Sequence, residues 1–132
     1  MEVEMKTARK YSRKREAILK TLRSTKAHPS AEWIYARLKP TFPDLSLGTV
    51  YRNLSLFRTE GLVTSVATVK GQERFDAQVI PHPHFICDSC GKVLDMDMLP
   101  DFGPAQGTVG FDGGEVEYCE ILFHGKCNDC KQ

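Results

Sequence analysis

The chain has 132 residues, of which 41% are hydrophobic, a size and composition suited to one compact domain or two small ones. The first ten residues carry charges where a secretion signal needs an apolar run, and no apolar run approaches the length that crosses a bilayer. We therefore expect a cytoplasmic protein without a membrane partner.

The formal net charge of +1 conceals an uneven distribution of charge along the chain. Residues 1–60 carry thirteen Lys and Arg against six Asp and Glu, whereas residues 61–132 carry five against eleven. A basic half favours contact with a polyanion. The alternative is that the basic residues lie on solvated helices and bind no partner, and charge alone does not distinguish this from contact with a polyanion.

Three helices are predicted in the basic half. The first runs from Ser12 to about Ser24, the second begins at Ser30, and the third runs from Ser46 to near Gly61, because serine hydroxyls cap helix N-termini. The apolar residues at helical spacing are Ala17, Ile18 and Leu22 in the first helix, Ala31, Ile34, Tyr35 and Leu38 in the second, and Leu47, Val50, Leu54 and Phe57 in the third.

A hairpin is predicted after the third helix, because the β-rich segments 62–68 and 72–75 are joined through Lys70-Gly71. Three helices and a hairpin outline a winged helix-turn-helix, whose third helix enters the DNA major groove. An ordinary exposed helix face in a protein-interaction module is the alternative. The residues predicted to contact DNA are Ser46, Gly48, Thr49, Tyr51 and Arg52 on the third helix, with Lys14 and Arg15 on the first.

On that face, small residues allow a close approach to DNA, and the Thr49 and Tyr51 hydroxyls can reach phosphates. Arg52 can bridge to a guanine edge.

Two Cys-x-x-Cys pairs predict a structural zinc site. They consist of Cys87 with Cys90 and of Cys127 with Cys130. Each pair can turn both thiolates toward one ion, and two pairs supply the four soft ligands that tetrahedral Zn²⁺ prefers. In a reducing cytoplasm, such pairs favour metal over disulfides.

A second metal site is predicted around His82 and His84, which lie on one face of an extended segment because side chains alternate with period two. The carboxylates of Asp76 and Asp95 would add oxygen ligands. Mixed nitrogen and oxygen donors suit Fe²⁺ or Mn²⁺ rather than zinc. A surface loop between prolines is the alternative.

Taken together, these motifs resemble the ferric uptake regulator (Fur) family over nearly the whole chain, from about residue 11 to residue 130. The runs that carry the resemblance are His28-Pro29-Ser30-Ala31-Glu32-Trp33-Ile34-Tyr35, Leu47-Gly48-Thr49-Val50-Tyr51-Arg52-Asn53-Leu54, Arg74-Phe75-Asp76, His82-Pro83-His84-Phe85-Ile86-Cys87 and Cys127-Asn128-Asp129-Cys130.

The resemblance implies an α+β fold, with an N-terminal winged helix-turn-helix followed by a small α/β dimerisation domain that holds the structural zinc. The implied boundaries are 1–77 for the DNA-binding domain, 78–82 for a hinge and 83–132 for the dimerisation domain. It also implies a homodimeric, metal-dependent repressor that binds double-stranded operator DNA.

The regulatory metal site implied by the resemblance comprises His28, Asp76, His82, His84 and Asp95. His28 belongs to the DNA-binding half and Asp95 to the dimerisation half. An ion held by both halves would lock the two domains together and set the spacing of the recognition helices.

The two aspartates, Asp76 and Asp95, resemble the peroxide-sensing branch of the family. In that branch, iron reduces peroxide and a ligating histidine, here His28 or His82, gains oxygen, after which the repressor leaves DNA. This is self-modification rather than turnover, so we do not expect an enzyme. Arg52, in contrast, resembles the iron-uptake regulators.

Two alternatives remain open. One is a ferric-uptake-type repressor that responds to iron or manganese availability without oxidation. The other is a small non-haem iron enzyme that acts on an external substrate, which leaves the basic helices unexplained.

The acidic half departs from the family pattern. The dimerisation helix, near residues 99–110, is expected to be short or irregular because it contains several prolines and glycines. Strands are expected at 92–96, 109–111 and 116–123, with Cys119 in the last of them as a buried small hydrophobe, a redox role being the alternative. Many iron-sensing members of the family have a further metal site built from additional histidines, and because those histidines are missing here, we do not expect a third site.

Overall fold

The computed structural model describes residues 2–97, 112–115 and 119–131, and side chains from residue 13 onward. The chain divides into two compact units, Met1–Val79 and Ile80–Gln132. The elements are helices α1 (Glu2–Arg23), α2 (Ala31–Leu38) and α3 (Leu47–Thr59), and strands β1 (Thr64–Val69), β2 (Gln72–Asp76), β3 (His84–Cys87), β4 (Val93–Asp95) and β5 (Leu122–Gly125).

Helix α1 begins at Glu2, so the predicted start at Ser12 is wrong. The residues before Ser12 include neither proline nor glycine, and nothing in them interrupts a helix that has already formed. The helix ends close to the predicted position, where the Ser24 amide donates to the Lys20 carbonyl at 3.0 Å.

The caps of α2 and α3 are those that the sequence predicts. Ser30 Oγ accepts from the amide of Trp33 at 3.2 Å, and Ser46 Oγ accepts from the amide of Thr49 at 3.1 Å. Each hydroxyl accepts from an amide of the first helical turn, where amides lack the usual carbonyl partner four residues earlier, and the Thr49 amide is shared with the Ser46 carbonyl at 3.1 Å.

Helix α3 ends in a Schellman motif around Gly61, whose φ is +78°. The amide of Leu62 donates to the carbonyl of Phe57 at 2.8 Å, and the amide of Gly61 donates to that of Arg58 at 3.1 Å. The left-handed glycine directs the chain into the wing.

The first unit has a core built from one face of each helix and from the wing. Burial of each large apolar side chain contributes about 1.5–3 kcal/mol, which keeps the opposite face of α3 toward solvent. The core residues are Ile18, Leu22, Ala31, Ile34, Leu45, Val50, Leu54, Phe57, Val63 and Phe75.

The wing is the predicted hairpin, with β1 antiparallel to β2. Lys70 and Gly71 have φ values of 51° and 80°, the positive values that a two-residue type I′ turn requires. The amide of Phe75 in β2 also donates to the carbonyl of Pro29 at 3.0 Å. The segment before α2 is therefore tied to the wing, and the winged helix-turn-helix is confirmed.

The second unit contains a three-stranded sheet in the order β4-β3-β5, with β3 antiparallel to β4 and parallel to β5. Strand β4 lies within the predicted strand 92–96. The last strand begins only at Leu122, and Cys119 is half-buried and precedes it, so the placement of Cys119 in that strand is wrong. The predicted strand 109–111 and helix 99–110 lie outside the described residues.

Among the described residues, no helix has both the length and the apolar character needed to span a bilayer.

Candidate metal centres and nucleic-acid interface

The four predicted zinc ligands come together in the second unit. One sulfur from each of Cys87, Cys90, Cys127 and Cys130 lies within 4.8 Å of every other. The sulfurs of Cys90 and Cys127 are 3.8 Å apart. A regular tetrahedron with Zn–S bonds of about 2.3 Å has edges of about 3.8 Å, so the donor set and its spacing fit Zn²⁺.

The sheet topology explains how cysteines forty residues apart meet. Cys87 ends β3, and Cys127 follows β5 by two residues. Because β3 and β5 are parallel, their carboxyl ends lie at the same edge of the sheet. The amide of Asp88 donates to the carbonyl of Gly125 at 2.8 Å and closes this edge.

Backbone amides prepare Cys87 as a thiolate. Its sulfur accepts from the amides of Cys90 and Cys127, each at 3.4 Å, and these bonds lower the pKa of Cys87 to about 6. Hydrogen bonds to Cys127 and Cys87 raise the pKa of Cys130 to about 12. A divalent cation would displace the thiol protons of this cluster, as expected of a thiolate metal site.

The second unit also brings together three predicted ligands of the regulatory site. Asp95 Oδ1 lies 2.8 Å from His82 Nε2 and 3.3 Å from His84 Nε2, and the two imidazole rings are 4.3 Å apart. Strand pairing explains the arrangement, because His84 is directly opposite Asp95 across β3 and β4.

The ring of His82 is further oriented by the backbone. Its Nδ1 lies 2.8 Å from the carbonyl of Ile80. When Nδ1–H donates to this carbonyl, Nε2 is the nitrogen available to a cation, an arrangement common among metal-binding histidines.

The first unit holds the other two predicted ligands. His28 Nδ1 is 3.5 Å from Asp76 Oδ2, and the two side chains are only 3% and 7% exposed. The second oxygen of Asp76 accepts from the amide of Gln78 at 2.8 Å. A buried imidazole beside a buried carboxylate fits a site for a hard or borderline cation.

His28 adopts a strained backbone with φ of 52°, unusual for a residue other than glycine. Arg74 holds this conformation, because its Nε donates to the His28 carbonyl and its Nη2 donates to the Ala27 carbonyl at 2.6 Å. Burial lowers the pKa of Arg74, although a guanidinium keeps its charge.

No role for Arg74 was predicted from the sequence. The available signal was its position two residues before Asp76, which places both on the same side of strand β2.

The predicted DNA-contacting residues of α3 form a connected polar face. Arg52 Nη2 donates to Thr49 Oγ1 at 3.1 Å, and Thr49 Oγ1 is 2.9 Å from Ser46 Oγ. A Cβ on Gly48 would lie 3.3 Å from Arg52 Nη1, so the glycine gives the guanidinium room along the helix. The hydroxyl of Tyr51 donates to Glu32 Oε1 at 2.5 Å, a contact that the sequence did not indicate.

Lys14 and Arg15 on α1 are both engaged within the first unit. Lys14 Nζ is 3.1 Å from Asp44 Oδ2, and Arg15 Nη2 is 2.5 Å from Glu60 Oε2. The Arg15 guanidinium also lies 4.7 Å from the ring centroid of Phe57. Their contact with DNA stays a prediction.

A winged helix-turn-helix followed by a small sheet with a four-cysteine site is the architecture expected of a metal-dependent transcriptional regulator. The family model described as the Ferric uptake regulator family matches residues 6–100. The chain belongs to the ferric uptake regulator family.

Its curated relatives include peroxide regulators. The chain is 35% identical over 123 residues to the peroxide-responsive repressor PerR of Staphylococcus epidermidis, covering 89% of this chain and 79% of the relative. It is 33% identical over 132 residues to the peroxide operon regulator of Bacillus subtilis, covering 100% of this chain and 91% of the relative.

Solved structures show the same fold. The Campylobacter jejuni peroxide stress regulator matches with a TM-score of 0.73 and 24% identity, covering 98% of this chain and 97% of that chain. The Helicobacter pylori ferric uptake regulator, described as having three functional metal binding sites, matches with a TM-score of 0.71 and 20% identity, covering 91% and 81%.

Proposed function

We propose that this protein is a cytoplasmic, peroxide-responsive transcriptional repressor that binds double-stranded operator DNA as a homodimer. The main observation in support is that each unit contains a histidine–aspartate cluster. The first unit contains His28 with Asp76, and the second unit contains His82 and His84 with Asp95. The names of the curated relatives support the response to peroxide.

Two different ions are proposed for the two kinds of donor set. Four thiolates suit a structural Zn²⁺ ion in the second unit. Three imidazoles and two carboxylates suit Fe²⁺ or Mn²⁺ as the regulatory ion, with both units contributing ligands. In this proposal, the aspartates and histidines link the DNA-binding unit to the dimerisation unit.

These residues would hold Fe²⁺, which would supply the electrons that reduce hydrogen peroxide, a chemistry that can leave one added oxygen on a ligating imidazole. The proposed targets are His28 and His82. An imidazole that carries the added oxygen is a weaker ligand, so the free energy that links the two units decreases. Ligation stabilises the DNA-binding arrangement only by its differential affinity for that arrangement.

Each of the proposed targets is held by backbone contacts. Arg74 fixes the backbone of His28, and the Ile80 carbonyl fixes the ring of His82. Such contacts would keep each imidazole in place as a ligand of the regulatory ion.

The test is mass spectrometry of the peptides that contain His28 and His82. The Fe²⁺-loaded protein is treated with a small excess of peroxide, and the expected result is a gain of one oxygen on either peptide together with loss of operator binding. The peptide with His124, which lies on β5 and is 55% exposed at its side chain, is the internal control and should stay unmodified.

The Mn²⁺-loaded protein is the second control, because Mn²⁺ does not readily reduce peroxide. In the Mn²⁺-loaded protein, His28 and His82 should stay unmodified after peroxide treatment, and the affinity for operator DNA should be unchanged. Unmodified peptides in the Fe²⁺-loaded protein, with DNA binding intact, would contradict peroxide sensing by histidine oxidation.

That outcome would favour the ferric-uptake-type repressor, which responds to iron or manganese availability. Arg52, which is exposed on α3, favours this second candidate because an arginine at this position resembles the iron-uptake regulators. Turnover of an external substrate by the Fe²⁺-loaded protein would instead indicate a non-haem iron enzyme.

A further inference from the structure

Tyr51 and Glu32 form a hydrogen bond that joins the exposed face of α3 to α2. The hydroxyl of Tyr51 donates to Glu32 Oε1 at 2.5 Å, a length typical of an O–H donor on an ionised carboxylate. Glu32 is half-buried, and Tyr51 is 40% exposed on the proposed DNA-contacting face.

The ordinary pKa values of a carboxyl group and a phenol place the proton of this bond on Tyr51 at neutral pH. The bond to Tyr51 lowers the pKa of Glu32, and the bond to Glu32 raises the pKa of Tyr51. At neutral pH the carboxylate is therefore ionised and the phenol is protonated. A phenol carries a single O–H proton, and here that proton is directed to Glu32.

The remaining hydrogen-bonding capacity of Tyr51 is that of an acceptor. Donation to a phosphate oxygen, or to N7 of a purine, would require breaking a charge-assisted bond. The negative charge of Glu32 further disfavours a phosphate at this point. The groups in the major groove that donate are the amino groups of adenine and cytosine.

We propose that Glu32 is a specificity-determining residue, which makes Tyr51 an acceptor for an exocyclic amino group, N6 of adenine or N4 of cytosine. The inference rests on the proposed function, in which α3 enters the major groove. It adds a role for Glu32 and assigns a polarity to the contact made by Tyr51.

Arg52, the residue next to Tyr51, has the opposite hydrogen-bonding polarity. Arg52 carries only donors, and its guanidinium is directed along α3 toward Thr49. Adjacent positions on the helix therefore present an acceptor and a donor, which complement an amino group and a guanine edge respectively.

The first experiment tests the hydrogen bond without DNA. The tyrosine ring signals are titrated by NMR in the metal-loaded full chain and in Glu32→Gln, with Tyr51→Phe used to assign the signal. The phenol of Tyr51 should deprotonate at higher pH in the original protein than in Glu32→Gln. Equal titration in the two would overturn the inference and would leave the proposed function unaffected.

The second experiment tests base recognition. DNA bound by the Mn²⁺-loaded protein is selected from a random pool, and single bases of the selected site are replaced. Purine in place of adenine, or pyrimidin-2-one in place of cytosine, removes the amino group, whereas 7-deazaadenine removes only N7. At one position per half-site, loss of the amino group should weaken binding about fivefold, the value of one hydrogen bond, and 7-deazaadenine should have no effect.

The variants separate this contact from general electrostatics. The penalty for the missing amino group should disappear in Tyr51→Phe and decrease in Glu32→Gln. Glu73→Gln is the matched control, since it also removes a negative charge from the first unit but leaves the Tyr51 bond intact. It should change the affinity for all DNA sequences alike.

Two results would overturn the inference while α3 still binds DNA. One is an equal penalty in the original protein and in Tyr51→Phe, and the other is a penalty caused by 7-deazaadenine at the position that Tyr51 contacts. If no preferred DNA sequence is selected from the random pool, the proposed operator binding is overturned and this inference with it. That result would be evident before any variant is compared.

Discussion

Arg74 offers the sharpest test of how the first unit prepares His28. Its guanidinium donates to the carbonyls of Ala27 and His28, two residues that precede α2. Replacement of Arg74 by methionine removes both donors and keeps an unbranched side chain that can pack in the same place. The left-handed backbone of His28 is then free to relax.

The expected loss of stability follows from these contacts. A buried hydrogen bond from a charged donor contributes about 1.5–3 kcal/mol, and Arg74 is only half-buried, so solvent competes for both bonds. We expect Arg74→Met to lower the free energy of unfolding of the first unit by about 2 kcal/mol. Loss of the two bonds also lets the backbone of His28 relax, which releases about 1–2 kcal/mol of strain. The expected decrease of about 2 kcal/mol is the net of these two effects.

The larger effect is expected on the regulatory metal. Groups that orient a metal ligand typically change the affinity by about tenfold to a hundredfold when they are removed. Mn²⁺ affinity should therefore fall about tenfold in Arg74→Met, measured by titration of the zinc-loaded protein, while the zinc content stays the same.

Arg58→Met is the matched control. Arg58 lies in the same unit, is 57% exposed at its side chain and pairs with Glu73 at 3.0 Å, away from His28. It should leave the Mn²⁺ affinity unchanged. If Arg74→Met unfolds more easily but binds Mn²⁺ as tightly as the original protein, Arg74 supports the fold and does not position His28.

Further measurements address the caps, the wing and the zinc site. Ser46→Ala should lower the free energy of unfolding by about 1 kcal/mol through loss of the α3 cap, and an unchanged urea midpoint would contradict this role. Gly71→Ala should cost about 1 kcal/mol through its φ of +80° alone, since no atom lies within 4 Å of the added Cβ; a melting temperature equal to that of the original protein would refute the strain. Cys90→Ser should lose most of the bound zinc by elemental analysis and unfold the second unit at lower urea, whereas Cys119→Ser should retain the zinc. Full zinc content in Cys90→Ser would rule out the four-cysteine assignment.

The helices of the first unit were predictable because their signals are local. Ser30 and Ser46 cap the helices that follow them, and the Lys70-Gly71 turn joins the two strands of the wing. The start of α1 was not predictable from the same signal. A serine that suits a cap can also lie within a helix when the preceding residues allow the helix to continue, as at Ser12.

The acidic half was harder to predict because its strands depend on distant partners. Strand β5 pairs with β3, about forty residues earlier, and the strand predicted at 116–123 wrongly included Cys119. Strand boundaries are set by which neighbour is present at each position, and local propensity does not contain that information.

By itself, the sequence determined the kinds of donor available and their local spacing. Paired cysteines can only offer soft sulfur ligands, and a His-x-His pair beside aspartates offers nitrogen and oxygen. Only the tertiary structure decided which distant residues meet. The contacts of Arg74 with His28 and of Tyr51 with Glu32 join residues 46 and 19 positions apart. No local pattern specifies such pairs, because the packing of the helices against one another and against the wing places them together.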